Sequence, residues 1–365
     1  MKKMSTAWVK YLADSVLKPL SYIYGGIVVT RNWMFDHGIL PQEKFDVPVV
    51  VVGNINVGGT GKTPHTEYIV DALSHDYRVG VLSRGYKRHT HGFILATNKL
   101  TPNDLGDEAY QIYRKFGSRI TLAVCENRRK GIKEMLRIDP NIDVLVLDDA
   151  FQHRYVKPKV SIVLMEYSRP VYEDNMLPYG TLREPVRGLL RADMVVITKC
   201  PRKIRPIDLN LIKQKLELFP SQDLFLSSIQ YYNLMPVFPE MVGSIPTLQQ
   251  MDSGDSLLIV TGIANHIPFV RFLKAFKTAI KVIHFGDHHN FSRDDFELIG
   301  KRFDEMPGNR KVIVTTEKDA VRMANNPYFP HGLKPHVFYV PIKVSFDQPI
   351  MGQDFIGALK KRIEE

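Results

Sequence analysis

The sequence predicts an α/β protein: a mostly parallel sheet with helices on both faces, followed by a second, smaller α/β domain. Two observations predict it. Short apolar, β-branched runs, such as VPVVVVG at 47–53 and DVLVL at 143–147, alternate with segments of helical periodicity. The alternation lapses between Phe219 and Asp255, where Pro and polar residues break the hydrophobic pattern, and then restarts. Strands alternating with helices imply right-handed crossovers and a sheet covered on both faces.

In chain order, 47–53 is the first strand. Thr63 to Leu73 is a helix with Tyr68, Ile69 and Leu73 able to share a face. RVGVL at 78–82 is the next strand, and the turn Ser83-Arg84-Gly85-Tyr86 follows it. Helices are expected over 107–116 and 127–138, and strands over 143–147, 160–165 and 192–197. Beyond the lapse come strand 256–260, helix 268–276, strand 279–285, helix 294–302 and strand 311–315. The expected division is an N-terminal region over 1–36, a core over 37–230 and a C-terminal α/β domain over 231–365.

Apolar residues make up 44% and charged residues 24% of the chain, which excludes a disordered protein. A net charge of +10 calls for an anionic partner; nucleic acid, anionic lipid and phosphorylated small molecules all qualify by charge. Cys125 and Cys200 are the only cysteines, which excludes a disulfide framework or a four-cysteine zinc site and suits a reducing compartment.

The segment from Trp8 to Phe35 is unusual: no residue between Lys18 and Arg31 is charged. That run is too short to span a bilayer, which takes roughly 20 apolar residues, and Pro19 and Gly25-Gly26 interrupt it. Trp8, Tyr11, Tyr22, Tyr24 and Trp33, flanked by Lys2, Lys3, Lys10, Lys18 and Arg31, fit a helix lying in the headgroup layer. A helix docked on the following domain accounts for the same residues equally well.

The strongest chemical signal is Gly53-Asn54-Ile55-Asn56-Val57-Gly58-Gly59-Thr60-Gly61-Lys62-Thr63, a strand running into a glycine-rich loop and then a helix that opens with Lys-Thr. Such a loop turns its N–H groups inward on phosphate oxygens, and the helix N-terminus adds positive potential. Asn56, Val57, Gly58, Gly59, Thr60, Gly61, Lys62 and Thr63 are therefore the expected nucleotide cradle. Lys62 would reach the β- and γ-phosphates, and Thr63 would ligate Mg²⁺. The usual spacing places a glycine at position 56; Asn tolerates left-handed backbone and would let the loop close. The sheet is thus expected to be P-loop NTPase-like.

Asp148-Asp149 leave an apolar strand at its C-terminal edge, where open α/β sheets bind ligands, and would serve the metal. Gln152 and His153 follow closely. Asp107-Glu108 open a helix; by themselves they read as charges complementing the helix dipole or as a base for an acceptor hydroxyl. Asp287-His288-His289 lies in a loop, where a single histidine could support a carboxylate base. Arg183 in the 175–185 loop is a candidate phosphate clamp. Arg84, Lys87 and Arg88 form another basic site on the presumed phosphate edge.

Taken together these segments resemble the tetraacyldisaccharide 4′-kinase (lipid A 4′-kinase) family. The resemblance runs in order through Pro19–Gly25, Val51–Pro64, Leu82–Tyr86, Gly106–Glu108, Asp148–His153, Leu177–Pro185, Gly262–Ala264, Asp287-His288 and Thr316–Asp319. It implies ATP and Mg²⁺ as cofactors, and phosphorylation of the 4′-hydroxyl of an acylated glucosamine disaccharide 1-phosphate to give lipid IVA. It also implies a peripheral enzyme on the cytoplasmic face of the bacterial inner membrane, with an anionic membrane surface and no nucleic acid as partner. The family's catalytic aspartate and histidine fall on Asp107 and His288, acting with Lys62. The metal candidates are Thr63, Asp148, Asp149 and Glu108, and the substrate candidates are Arg84, Arg183, Gln152 and His153. The chain departs from the family where Ala150-Phe151 replace a common Gly-Leu and where Asn56 replaces a common Thr. Two rival readings are a P-loop GTPase of metallochaperone type, suggested by Thr198-Lys199 and Thr316–Asp319, and a membrane scaffold that binds nucleotide without chemistry.

Overall fold

The computed structural model describes residues 13–276, 278–308, 310–346 and 354–365. Lys2, Lys3, Trp8, Lys10 and Tyr11 of the proposed interfacial segment lie outside the described residues. The N-terminal helix α1 (Lys18–Asp36) is followed by β1 (Val49–Gly53), α2 (Lys62–Leu73), β2 (Val79–Ser83), β3 (Ile94–Leu95), α3 (Asp107–Phe116) and β4 (Ile120–Val124). Then come α4 (Arg128–Ile138), β5 (Val144–Asp148), β6 (Val160–Glu166), β7 (Met194–Thr198), α5 (Pro206–Leu216) and β8 (Asp223–Leu226). These strands form one sheet in the order β3-β4-β2-β5-β1-β6-β7-β8, with β3 antiparallel to its neighbour β4 and the other pairs parallel.

The valines of β1 are buried on both faces, as a central parallel strand requires. From β1 the chain builds outward on one side through β2 and β4, returns to β5, and then crosses to β6, β7 and β8. The strand order therefore reverses at β1, and a ligand crevice opens beyond its C-terminal end. Val52 is in register with Asp148, so the acidic end of β5 lies beside the loop that leaves β1.

A two-stranded antiparallel ribbon, β9 (Ser228–Tyr231) with β15 (Ile342–Ser345), follows the large sheet. The second sheet contains β10 (Met235–Pro236), β11 (Asp255–Thr261), β12 (Ala279–His284), β13 (Arg310–Thr316) and β14 (Val337–Val340) in the order β10-β14-β13-β11-β12. Its helices are α6 (Ile267–Leu273), α7 (Arg293–Asp304) and α8 (Glu317–Ala324). Alpha8 escapes a reading by breakers because no loop precedes it: Thr316 ends β13 and at once caps the helix, accepting from Asp319 N.

The last helix, α9 (Phe355–Glu364), leaves the second sheet and packs on the first, although the sequence places it in the C-terminal domain over 231–365. Phe355, Leu359 and Ile363 join the core around β1 and β2, and the Phe355 ring stacks on Phe346 with centroids 4.2 Å apart. Arg362 pairs with Asp223 at 2.8 Å. Two stretches of chain therefore cross between the sheets.

Alpha1 is continuous through Gly25-Gly26, with Pro19 in its first turn, where a missing N–H costs nothing. No helix among the described residues is long and apolar enough to cross a membrane. One face docks: Ser21 Oγ donates to Met176 O at 2.7 Å, Tyr24 Oη to Arg183 O at 3.1 Å, and Phe35 is buried. The other leaves Leu20, Tyr22, Ile23, Ile27, Val29 and Trp33 exposed.

Candidate active site

The loop after β1 is held in shape by its neighbours. Asn54 Nδ2 donates to Thr60 Oγ1 at 2.9 Å, and Thr198 Oγ1, at the end of β7, donates to Thr60 O at 2.8 Å. On the other side Val57 N donates to Thr181 O at 2.8 Å and Arg183 N to Ile55 O at 2.7 Å. Asn56 forms a β-bridge with Leu182 and is not among the positive-φ residues, so the left-handed backbone expected of it is not what closes the loop. Gly61 does that: with φ 88° it is the N-cap of α2 and has no side chain to occupy the helix end. Gly58 (φ 113°), Gly59 and Thr60 complete the turn, and Lys62 and Thr63 open the helix. Lys62 Nζ lies 3.7 Å from Asp149 Oδ1.

Asp148 is fully buried, and its carboxylate accepts hydrogen bonds from Thr66 Oγ1 at 2.9 Å and Ser83 Oγ at 3.5 Å. Burial, followed by the charges of Glu108 and Asp149, pushes its pKa up to about 7. Asp149 has a left-handed backbone (φ 47°) and faces Lys62 and Arg183, the latter at 3.4 Å. Among the described residues no group of three or more His, Cys, Asp or Glu is arranged to hold a metal ion by itself. Magnesium beside a triphosphate needs only one or two carboxylates, with phosphate oxygens and waters filling the remaining positions. Thr63, Asp148, Asp149 and Glu108 supply hard oxygen donors, and a cation would relieve the desolvated Asp148 charge. The residues fit the ion.

Gly106 (φ 83°) lies so close to the turn after β2 that a Cβ there would stand 2.6 Å from Tyr86 O. This approach sets Asp107 at the first position of α3, near the C-terminal edge of the sheet. Groups from the second sheet meet it there. Arg322 donates to Asp107 Oδ2 through Nη2 at 2.7 Å and Nε at 2.9 Å, while His288 Nδ1 lies 3.5 Å from the same oxygen. Lys318 pairs with Glu108 at 3.0 Å. Burial raises the Asp107 pKa, but the His288 hydrogen bond and the Arg322 charge outweigh it and hold the carboxyl at about 2. His288 is left-handed (φ 57°) and packs edge-on against Tyr86, centroids 5.9 Å apart. Its ring nitrogens face Arg322 (Nδ1, 3.0 Å) and Lys318 (Nε2, 3.1 Å). Neutral imidazole has one acceptor nitrogen, so the two cations cannot both donate to it.

The structure thus gathers Lys62, Asp148, Asp149, Arg183, Glu108, Asp107 and His288 around one edge. Gln152 is used differently: its Nε2 donates to Asn54 O at 2.7 Å and braces the glycine-rich loop. The His153 Nε2 is buried without a partner, and burial, then the charges of Arg128, Arg31, Arg129 and Arg84, lower the ring's pKa to about 4. Arg84 is exposed, but Arg88 is drawn away from the basic site expected of it, into a 2.5 Å pair with Glu126. Arg128, Lys318 and Arg322 were not legible as site residues. The signal for Arg128 was local: Asn127 caps α4 and turns the next side chain inward, where it is 2% exposed and reaches Cys125 O at 3.0 Å.

A glycine loop gripping the start of a helix, acids at the neighbouring strand end and a carboxylate held by a second lobe define a P-loop phosphotransferase. The comparisons narrow the class. The family profile described as "Tetraacyldisaccharide-1-P 4′-kinase" matches residues 13–360. The tetraacyldisaccharide 4′-kinase of Bacteroides thetaiotaomicron is 47% identical over 354 residues, covering 94% of this chain and 93% of that protein. The Phocaeicola vulgatus enzyme of the same name is 45% identical, covering 91% and 90%. The crystal structure of LpxK from Aquifex aeolicus in complex with ATP is 28% identical with a TM-score of 0.72, covering 97% of this chain and 98% of that one. The chain belongs to the tetraacyldisaccharide 4′-kinase family and is an ATP-dependent kinase, which disfavours the GTPase reading.

His65 gives the loop a pH-dependent anchor. It is fully buried; its Nδ1–H donates to Gly61 O at 2.7 Å, and its Nε2 accepts from Ser227 Oγ at 2.7 Å. Burial, opposed by the Gly61 bond, lowers its pKa from 6.5 to about 4. The folded pKa lies below the unfolded one, so stability is complete above pH 6.5 and is lost as pH falls toward 4. The loss attributable to this ring is on the order of 3 kcal/mol. Denaturant titrations of the parent and His65→Gln across that window should show a shallower decline in the variant; equal slopes would remove His65 as the cause.

Proposed function

We propose that this kinase transfers the γ-phosphate of ATP to the 4′-hydroxyl of a tetraacylated glucosamine disaccharide 1-phosphate at the cytoplasmic face of the bacterial inner membrane. The observation that carries the reading is the meeting of Asp107 and His288, from two different sheets, at the edge that bears Lys62. A hydroxyl acceptor needs a base, and a carboxylate ionised at neutral pH within the cleft supplies one. In this reading Asp107 takes the hydroxyl proton and His288 supports the charge. Lys62 and the loop N–H groups offset charge on the phosphates. Thr63 with Asp148, Asp149 or Glu108 would hold a magnesium ion, whose positive charge would help offset that of the transferring group. Arg84, Arg31 and Arg129 gather around the neutral His153 ring and, with Arg183 beside Asp149, offer positive charge suited to the anionic acceptor.

The exposed face of α1 supports the membrane part. Tyr22 is 71%, Ile23 61%, Ile27 64% and Trp33 51% exposed, an apolar aromatic stripe on a helix whose opposite face grips the 176–184 loop. That loop in turn pins the P-loop through Arg183 N and Thr181 O. A helix resting in the headgroup layer would therefore hold the phosphate site close to an acylated substrate.

Asp107→Asn should lower kcat by about 10²- to 10⁴-fold while the Kd for ATP stays within about threefold. Turnover at the parent rate would remove Asp107 as the base. For the membrane contact, each isoleucine is worth about 1.5 to 3 kcal/mol when fully buried. Charging two of them (Ile23→Asp with Ile27→Asp) should cut partitioning onto anionic vesicles at least about tenfold. Equal sedimentation of parent and variant with the vesicles would argue that α1 does not touch lipid.

A further inference from the structure

Arg322 has the closest approach to the Asp107 carboxylate of any side chain described. Its Nη2 lies 2.7 Å from Oδ2, whereas His288 Nδ1 stands 3.5 Å away, at the outer limit of a hydrogen bond. The guanidinium is fixed from within its own lobe. Asp319, fully buried, accepts from Gly262 N at 2.9 Å and Thr316 Oγ1 at 2.7 Å, and takes Arg322 Nη1 at 3.0 Å one turn along α8. The same Gly262 peptide oxygen accepts from His288 N at 3.1 Å and Arg322 Nη1 at 3.4 Å. Both partners of Asp107 thus hang from one peptide of the second sheet, at the end of β11.

The way Arg322 binds Asp107 is specific. An arginine fork often meets a carboxylate with two parallel bonds, one to each oxygen. Here Nε and Nη2 both converge on Oδ2, and no hydrogen bond to Oδ1 is formed among the described residues. The arrangement orients the carboxylate plane and commits one oxygen while sparing the other. We propose that Arg322 is a positioning residue for phosphate transfer: held by Asp319, it anchors Asp107 through Oδ2 and leaves Oδ1 to receive the proton of the acceptor hydroxyl. This inference rests on the assignment of Asp107 as the base. It separates Arg322 from Lys318, whose bond to Glu108 ties the same two elements without touching the base.

The test is a double-mutant cycle on the full chain, with ATP and detergent-dispersed tetraacyldisaccharide 1-phosphate as substrates. Arg322→Gln should lower kcat about 30-fold with the KM for ATP within about threefold, because the interaction lost acts on the chemical step. In an Asp107→Asn background the same substitution should cost less than about threefold, since its target is already gone. Arg322→Lys keeps the charge beside Asp319 but offers one ammonium instead of a fork. It should fall between parent and Gln variant, and it carries the test if the Gln variant melts early. Wild-type kcat in the Lys variant would overturn the proposal. So would a loss confined to KM, or a loss undiminished in the Asp107→Asn background. Unchanged turnover in Asp107→Asn alone overturns the base assignment and this inference with it; a full loss there beside parent-like Arg322→Gln overturns the inference alone.

Discussion

The rest of the structure depends on one contact, the meeting of Asp107 at the start of α3 with Arg322 and His288 from the second sheet. A carboxylate on one sheet whose partners come from another is set correctly only when the two lobes are docked. The crossing segments serve that requirement: the β9–β15 ribbon carries the chain between sheets, and α9 returns to pack Phe355 and Leu359 against the first. The docking contact itself is largely ionic. At its rim Lys318 and Glu108 are 23% and 27% exposed and add little net stability, whereas the Arg322 side chain at its centre is 6% exposed and paired with Asp107.

Charge within the cleft is arranged around an anionic ligand. Lys62 rests against Asp149, and Arg183 shares that carboxylate. Asp148, buried beneath them with only hydroxyl donors, is raised to about 7 by desolvation and its acidic neighbours. A triphosphate with its cation would compete for Lys62 and restore the full charge of Asp148. The same logic links the site to the N-terminal helix: α1 holds the loop that carries Arg183, and the backbone of that loop holds the phosphate loop.

What the sequence revealed and what it hid follow from how far each feature reaches along the chain. The phosphate loop is spelled in one continuous segment, and Asp148-Asp149 follow a uniformly apolar strand, so both could be read directly. The sheet alternation was legible for the same reason, although Ile120–Val124, Val337–Val340 and the short outer strands were missed. Asp107 and His288 could be paired only by resemblance, because no periodicity joins residues that meet across two sheets. Arg322 stayed hidden because its partner Asp107 is equally remote, and its local signal, an Asp-x-x-Arg step on a helix, is that of an ordinary surface ion pair. Alpha1 defeated a choice between docked and interfacial because one face docks while the other stays exposed.

A structure of the full chain with a non-hydrolysable ATP analogue, Mg²⁺ and the acylated disaccharide 1-phosphate tests the central claim most directly. The account predicts an Asp107 carboxylate oxygen about 3 Å from the 4′-hydroxyl, in line with the γ-phosphate. A complex in which a different group faces that hydroxyl, with Asp107 turned away, would contradict it.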